Sequence, residues 1–171
     1  MITQYEKKYC TYCGGSLEHR FIEGRERLHC SSCNKITYAN PIPASSVVIF
    51  DNNRILLVLR SVDPQKGMWC LPGGFIEIDE SSETGALREL EEETGLTGRI
   101  SELIGVFSQF GNNCRSVLLT GYIVEDVSGE LHAGDDADEV RYFDINNLPE
   151  LAFESHKYFI DKAIPMKFDK K

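Results

Sequence analysis

Residues 74–96 read Gly74-Phe75-Ile76-Glu77-Ile78-Asp79-Glu80-Ser81-Ser82-Glu83-Thr84-Gly85-Ala86-Leu87-Arg88-Glu89-Leu90-Glu91-Glu92-Glu93-Thr94-Gly95-Leu96, and this stretch decides how the chain folds. Ser81-Ser82 supply side-chain acceptors suited to a helix N-cap, and Gly95 suits the left-handed turn just past a helix end. Residues 83–94 between them are helix formers without proline, which predicts a helix. At about 100° per residue, Glu89, Glu92, Glu93 and Gly85 share one arc about 100° wide, while Leu87 and Leu90 share another. The leucine side packs inward. The acidic side sets like charges three and four residues apart, which is repulsive in water. Such crowding makes sense around a divalent cation, and carboxylate oxygens are the ligands that Mg²⁺ or Mn²⁺ prefers. Gly85 would leave space for a phosphate among the acids. Arg88 can pair with Glu92 one turn on and with Glu80 from the preceding loop, locking loop to helix.

Working outward, the fixed positions form G-x5-E-x7-R-E-U-x-E-E-x-G-U, with U aliphatic. Seven positions are held to one residue type, so a chance match is below about one in a hundred million per window. Every position matches the Nudix box, and the chain resembles a Nudix hydrolase. Gly67-Met68-Trp69-Cys70-Leu71-Pro72-Gly73-Gly74 is similar to the GxWxLPGG lead-in of that family. The resemblance implies that the Gly73 carbonyl, Glu89, Glu92 and Glu93 hold Mg²⁺ or Mn²⁺, with Arg88 and Glu80 completing the catalytic segment. It also implies a further acid from a later strand or loop, for which Glu139 is the best match. The implied chemistry is attack of water on one phosphorus of a diphosphate, with Glu92 or Glu93, or else Glu139, taking the proton.

Nearer the N-terminus, Cys10-Thr11-Tyr12-Cys13 and Cys30-Ser31-Ser32-Cys33 form C-x2-C-x16-C-x2-C, a spacing expected of a zinc site. Gly14 and Asn34 follow each pair and tolerate the left-handed turn that aims backbone N–H groups at thiolates. The reading is a four-cysteine structural Zn²⁺ ribbon with ligands Cys10, Cys13, Cys30 and Cys33. Two disulfides or two redox pairs are the alternatives. The expected cytosolic setting and the lack of a βαβ context weigh against them. His19 and His29 are then ordinary surface histidines, and Cys70 and Cys114 are packing residues.

The chain has 171 residues, 42% of them hydrophobic, which suits one ordinary domain plus a small module. The ribbon, 1–40, is too short to bury much core, so a metal staple suits it. Tyr38-Ala39-Asn40-Pro41-Ile42-Pro43 reads as a linker to a hydrolase domain over 44–165. Strands are expected at 46–50, 54–60, 103–110, 116–124 and 140–145. The first two would be joined by Asp51-Asn52-Asn53, the next two across Gly111-Asn112-Asn113-Cys114. A last helix carries His156, Phe159, Ile160, Ala163 and Ile164 on one face and stops at Pro165. The fold class is α/β, and the resemblance implies an α/β/α sandwich with a mixed sheet, preceded by the ribbon. Net charge is −9 with a pI near 4.9, which argues against a general nucleic-acid surface. The absence of an 18-residue apolar run or a signal peptide leads to an expected cytoplasmic location without a membrane partner.

Zinc-ribbon Nudix enzymes include NADH pyrophosphatases with an S-Q-P-W-P-F-P segment. Here the corresponding residues are Ser108-Gln109-Phe110-Gly111-Asn112-Asn113, without the prolines or the tryptophan. The proline that many ADP-ribose pyrophosphatases place some fifteen residues past the box is also missing. In contrast, Gly134-Asp135-Asp136-Ala137-Asp138-Glu139 followed by Leu151-Ala152-Phe153 resembles the tail of several ADP-ribose-cleaving members. Phe107, Phe110 and Phe153 are either base-stacking or core residues, with Phe110 and Phe153 taken as substrate contacts. The expected partner is a small-molecule nucleotide. ADP-ribose or another nucleotide sugar ranks first, NAD(H) or FAD second, and nucleoside triphosphates third. RNA decapping is disfavoured by the acidic charge. A non-catalytic nucleotide sensor is disfavoured by the intact acids, and a homodimer remains open.

Overall fold

Strands that are apolar on both sides need cover on both faces, and residues 45–49 and 55–58 are buried without exception. The computed structural model describes residues 7–110, 116–134 and 136–169. Within them, residues through Pro41 form one compact unit, and those from Ile42 to Gln109 and from Val117 onward form another.

The first unit is a three-stranded antiparallel sheet, β1 (Leu17–Ile22), β2 (Arg25–Cys30) and β3 (Ile36–Thr37), in that order. Two tight turns carry the cysteine pairs, with Gly14 at φ 73° and Asn34 at φ 58° as expected.

The second unit is built on a mixed seven-stranded sheet. Its strands are β4 (Ile42–Asp51), β5 (Arg54–Arg60), β6 (Trp69–Cys70), β7 (Gly73–Phe75), β8 (Leu96–Phe110), β9 (Ser116–Gly129) and β10 (Ala137–Asp144). The main path runs β10-β5-β4-β9-β8, with β6 on β5 and β7 on β4. β4 and β9 are parallel, whereas β5 is antiparallel to both β4 and β10. Asn52, at φ 52°, turns the β4–β5 hairpin. The α1 helix (Ser82–Thr94) and the α2 helix (Glu154–Phe168) cover opposite faces. Ala86 and Leu90 of α1 pack on Val47, Ile49, Leu56, Tyr122 and Val124. Phe159, Ile160 and Ala163 of α2 pack on Val48, Ile55, Leu57, Leu119 and Ile123, the alternate residues of the same strands. A side chain at Gly121 would lie 2.5 Å from the Phe159 ring, so glycine there lets α2 seat against the sheet. The α/β/α sandwich is therefore present.

Some boundaries differ from expectation. Ile42 and Pro43 belong to β4 rather than to a linker. β8 begins at Leu96, not near Leu103, because Gly95 turns the chain directly from α1 into the strand and Leu96 and Ile100 pack into the α1 core. α2 runs through Pro165 to Phe168. Losing one N–H donor is tolerated because Met166 packs on the α2 core and Phe168 meets Phe50 edge-on at 5.6 Å. The expected turn at Gly111-Asn112-Asn113-Cys114 lies outside the described residues, as does Cys114.

Candidate active site

The Ser81 hydroxyl accepts the Thr84 N–H at 3.1 Å, and Gly95 at φ 70° closes the far end of α1. These caps fix the helix that carries the acids. Arg88 grips Glu80 through two hydrogen bonds, Nε to Oε1 at 2.6 Å and Nη2 to Oε2 at 3.1 Å. Its remaining donors reach Glu89 at 2.8 Å, Glu92 at 2.7 Å and the Phe75 carbonyl at 3.0 Å. Arg88 thus ties the loop to the helix and holds two acids in register, as its spacing predicts. The guanidinium depresses the Glu80 pKa.

Gly73 and Gly74 lie directly against these carboxylates. The Gly73 N–H donates to Glu93 Oε2 at 2.9 Å. A side chain on Gly73 would meet the Ser45 carbonyl at 2.2 Å, and one on Gly74 the Glu89 carboxylate at 2.5 Å. Gly85 has a different role from the expected phosphate space. A side chain there would touch Glu80 Oε2 at 3.0 Å, so its bareness admits the 76–80 loop onto the helix.

Burial pushes the Glu93 carboxyl up to about 8, against the Gly73 N–H and Arg60, with Glu89 and Asp136 adding to the rise. Burial also raises Glu89, opposed by Arg88. A buried carboxylate and a half-buried one, beside glycine backbone that approaches without side chains, form a donor set that fits a hard divalent cation.

Glu139 is not gathered into this cluster. It lies on β10 beside a bulge, with Arg141 as its ion-pair partner. It shares the alternation of Arg141 and Phe143, and Phe143 packs in the α2 core, whereas Tyr142 faces α1. The later acid whose charge reaches Glu93 is Asp136. Its loop is pinned at both ends: Gly134 N–H donates to the Glu93 carbonyl at 3.1 Å, and Ser61 N–H to the Asp136 carbonyl at 2.9 Å. Asp136 precedes β10 and Glu139 lies past its bulge, so the two acids sit in different surroundings.

Arg60 was also missed. Its guanidinium lies 5.2 Å from the centre of the Phe153 ring and donates to the Pro64 and Val62 carbonyls. Phe153 is half-buried at the start of α2, Phe107 packs into the core against Tyr158, and Phe110 is exposed at the end of β8. Gln109 accepts the Ser155 hydroxyl at 2.7 Å and so ties β8 to α2. Inside α2, His156 is buried and its Nδ1 accepts the Leu71 N–H at 3.0 Å, steadying the segment between β6 and β7 that leads into Gly73.

In the ribbon, the four Sγ atoms of Cys10, Cys13, Cys30 and Cys33 lie within 4.8 Å of one another. The Cys10–Cys33 and Cys13–Cys30 separations are 3.6 and 3.5 Å, close to the edge of about 3.8 Å expected for a tetrahedron with 2.3 Å zinc–sulfur bonds. Backbone N–H groups of Tyr12 and Cys13 lower the Cys10 pKa, and those of Cys33 and Ser32 take Cys30 to about 6, both favouring thiolate. His29 is buried rather than a surface residue, because Nε2 hydrogen-bonds Asn34 Oδ1 at 2.9 Å.

Comparison with known proteins agrees with this arrangement. The NUDIX domain model matches residues 40–163, and the Nudix N-terminal zinc-ribbon model matches residues 8–39. An ADP-ribose pyrophosphatase of Methanocaldococcus jannaschii is 43% identical over 125 residues, covering 72% of this chain and 74% of that protein. A NAD-capped RNA hydrolase NudC of Pseudomonas fluorescens is 29% identical over 159 residues, 91% of this chain but 55% of that protein. This chain thus spans about half the length of that relative. A crystal structure of a NUDIX hydrolase from Nitrosomonas europaea superposes with a TM-score of 0.80 at 28% identity, covering 96% of this chain and 94% of that one.

Proposed function

The chain belongs to the NUDIX family, and from that premise we propose that this pyrophosphatase cleaves the diphosphate of ADP-ribose or a closely related nucleotide sugar. The observation that carries the reading is the pair of carboxylates beside Gly73 and Gly74, Glu93 buried and Glu89 half-buried. The relative that is 43% identical and named ADP-ribose pyrophosphatase supports the substrate class. The Gly73 carbonyl, Glu89, Glu92 and Glu93 are the groups that would hold Mg²⁺ or Mn²⁺, and the four cysteines would hold Zn²⁺. The chemistry a bound divalent cation supplies is a more acidic water and neutralised charge on the phosphate oxygens.

The remaining work falls to the protein. Arg88 keeps Glu89 and Glu92 aimed, and Glu80 keeps Arg88 aimed. Glu92 or Glu93 accepts the proton of the attacking water, with Asp136 better placed than Glu139 to assist. Arg60 and Phe153 offer a cationic, aromatic surface for the nucleotide. A second reading, NAD(H), draws on the NudC relatives, because their similarity extends through the ribbon.

A panel of ADP-ribose, NADH, FAD and nucleoside triphosphates at fixed Mg²⁺, read by product chromatography, tests the proposal. ADP-ribose should give the highest kcat/KM, and Glu93→Gln should lower that value by about two orders of magnitude or more. Faster turnover of NADH would replace the first reading with the second. No Mg²⁺-dependent turnover of any diphosphate would overturn both.

A further inference from the structure

Charge is divided unevenly along the chain. Through Pro41 there are six Lys or Arg against four Asp or Glu, whereas the rest carries twelve against 23. The acidity that argues against nucleic acid for the whole chain therefore does not describe the ribbon.

Strand register arranges this positive charge. Arg20 on β1 is paired directly with Arg27 on β2, so both project from one face, and alternation puts Arg25 on that face as well. Leu28 pairs with Thr37, which brings Tyr38 beside Arg27, and the Arg27 guanidinium lies 4.8 Å from the centre of the Tyr38 ring. Arg20, Arg27 and Tyr38 thus form a row across the sheet. The acids nearby are Glu18, 2.7 Å from Arg20 and 4.0 Å from His29 on the same face, and Glu23 of the β1–β2 turn, 3.6 Å from Arg27. Arg25 has no ion pair among the described residues, and Arg27 Nε is buried without a hydrogen-bond partner. Like charges directly opposite each other destabilise a sheet, and a unit this small has little core to offset them. Tyr38 is half-exposed. Tyr12, at 67% exposure with Lys35 Nζ 4.2 Å from its ring centre, forms a second cation–aromatic pair.

We propose that the ribbon face carrying Arg20, Arg25, Arg27 and Tyr38 binds a single-stranded polynucleotide, its phosphates on the arginines and an unstacked base on Tyr38. Facing guanidiniums want a chain of anions, and an exposed tyrosine ring wants a base that a duplex would keep stacked. The inference stands apart from the diphosphatase reading, since the ribbon residues take no part in that chemistry.

Fluorescence anisotropy tests it on the full zinc-loaded chain without Mg²⁺. The probes are labelled 15-residue RNA and DNA strands with 5′-hydroxyl ends, which contain no diphosphate. Three phosphate contacts should make binding fall about twentyfold between 50 and 200 mM salt. Arg20→Gln with Arg25→Gln should weaken binding at 50 mM at least tenfold and flatten the salt effect to about threefold. Tyr38→Ala should weaken binding severalfold and leave the salt dependence unchanged. Zinc content and thermal melting would confirm that each variant is folded. Preference for RNA would add recognition of the 2′-hydroxyl, and equal binding of DNA would limit recognition to phosphate and base; both support the proposal. No binding at 50 mM salt, binding unaltered in the arginine variant, or equally tight binding of poly-glutamate would overturn it.

Discussion

Gly74 has no room for even a methyl group, because the Glu89 carboxylate occupies that space at 2.5 Å. Gly74→Ala should therefore displace Glu89 from the cluster. We expect kcat to fall about a hundredfold while the melting temperature drops by only a few degrees, since the contact is to one movable side chain. Turnover within threefold of the parent would mean that the position of Glu89 is not critical. His156 gives a residue-scale prediction for stability. Burial, with Arg60 adding to it, takes its pKa down to about 3 from the ordinary 6.5. The unfolded chain then takes up the proton first, so this contribution is complete above about pH 6.5 and is lost as pH falls from there toward 3, by up to about 4 kcal/mol. Glu93 acts in the opposite sense, because its raised pKa favours the folded state at low pH. Comparison with His156→Gln cancels that shared term. The parent should be clearly more stable at pH 7.5, and the difference should shrink steadily toward pH 4.5 in urea titrations. A pH-independent difference would show that His156 does not stay neutral in the folded protein.

Among elements, α1 was the most legible, because its caps, periodicity and acids all lie within 81–95 and depend on local physics. The ribbon turns were legible for the same reason, each cysteine pair being closed by Gly14 or Asn34. What the sequence concealed depends on distant contacts. The expected strand at 103–110 begins seven residues earlier, because Leu96 and Ile100 pack against α1. Pro165 does not end α2 because Met166 and Phe168, beyond it in the same helix, pack on the core and on Phe50. Asp136 and Glu139 are three residues apart, and the bulge where β10 meets β5 lies between them. The ribbon yields a prediction at this scale. Its sheet has no large core, so its fold should depend on the metal, and Cys13→Ser should unfold residues 1–40. The mutant should lose its zinc and expose 8–39 to protease, while the α1 core keeps the rest folded with ADP-ribose turnover within a few-fold of the parent. Loss of all soluble protein would instead make the ribbon a structural part of the second unit.

For the whole molecule, the acids gathered on α1 limit how water can be used. Under the proposed function, attack is expected at phosphorus, because carboxylates that hold a divalent cation set it against phosphate oxygens. A covalent intermediate would need a nucleophile near Glu93, and Cys70 is the thiol whose charge interacts with it. Burial and the Glu93 charge push that thiol up to about 12, so it stays protonated and unreactive. Hydrolysis of ADP-ribose should therefore be a single displacement that breaks one P–O bond of the diphosphate and yields AMP and ribose 5-phosphate. In ¹⁸O-labelled water, one label should enter only one of the two phosphates, and mass spectrometry of the quenched enzyme should show no adduct. Cys70→Ala should retain turnover within about threefold, the loss reflecting packing alone. Label in the ribose hydroxyl, release of free adenine, or a phosphorylated protein would require a different reaction from the one proposed.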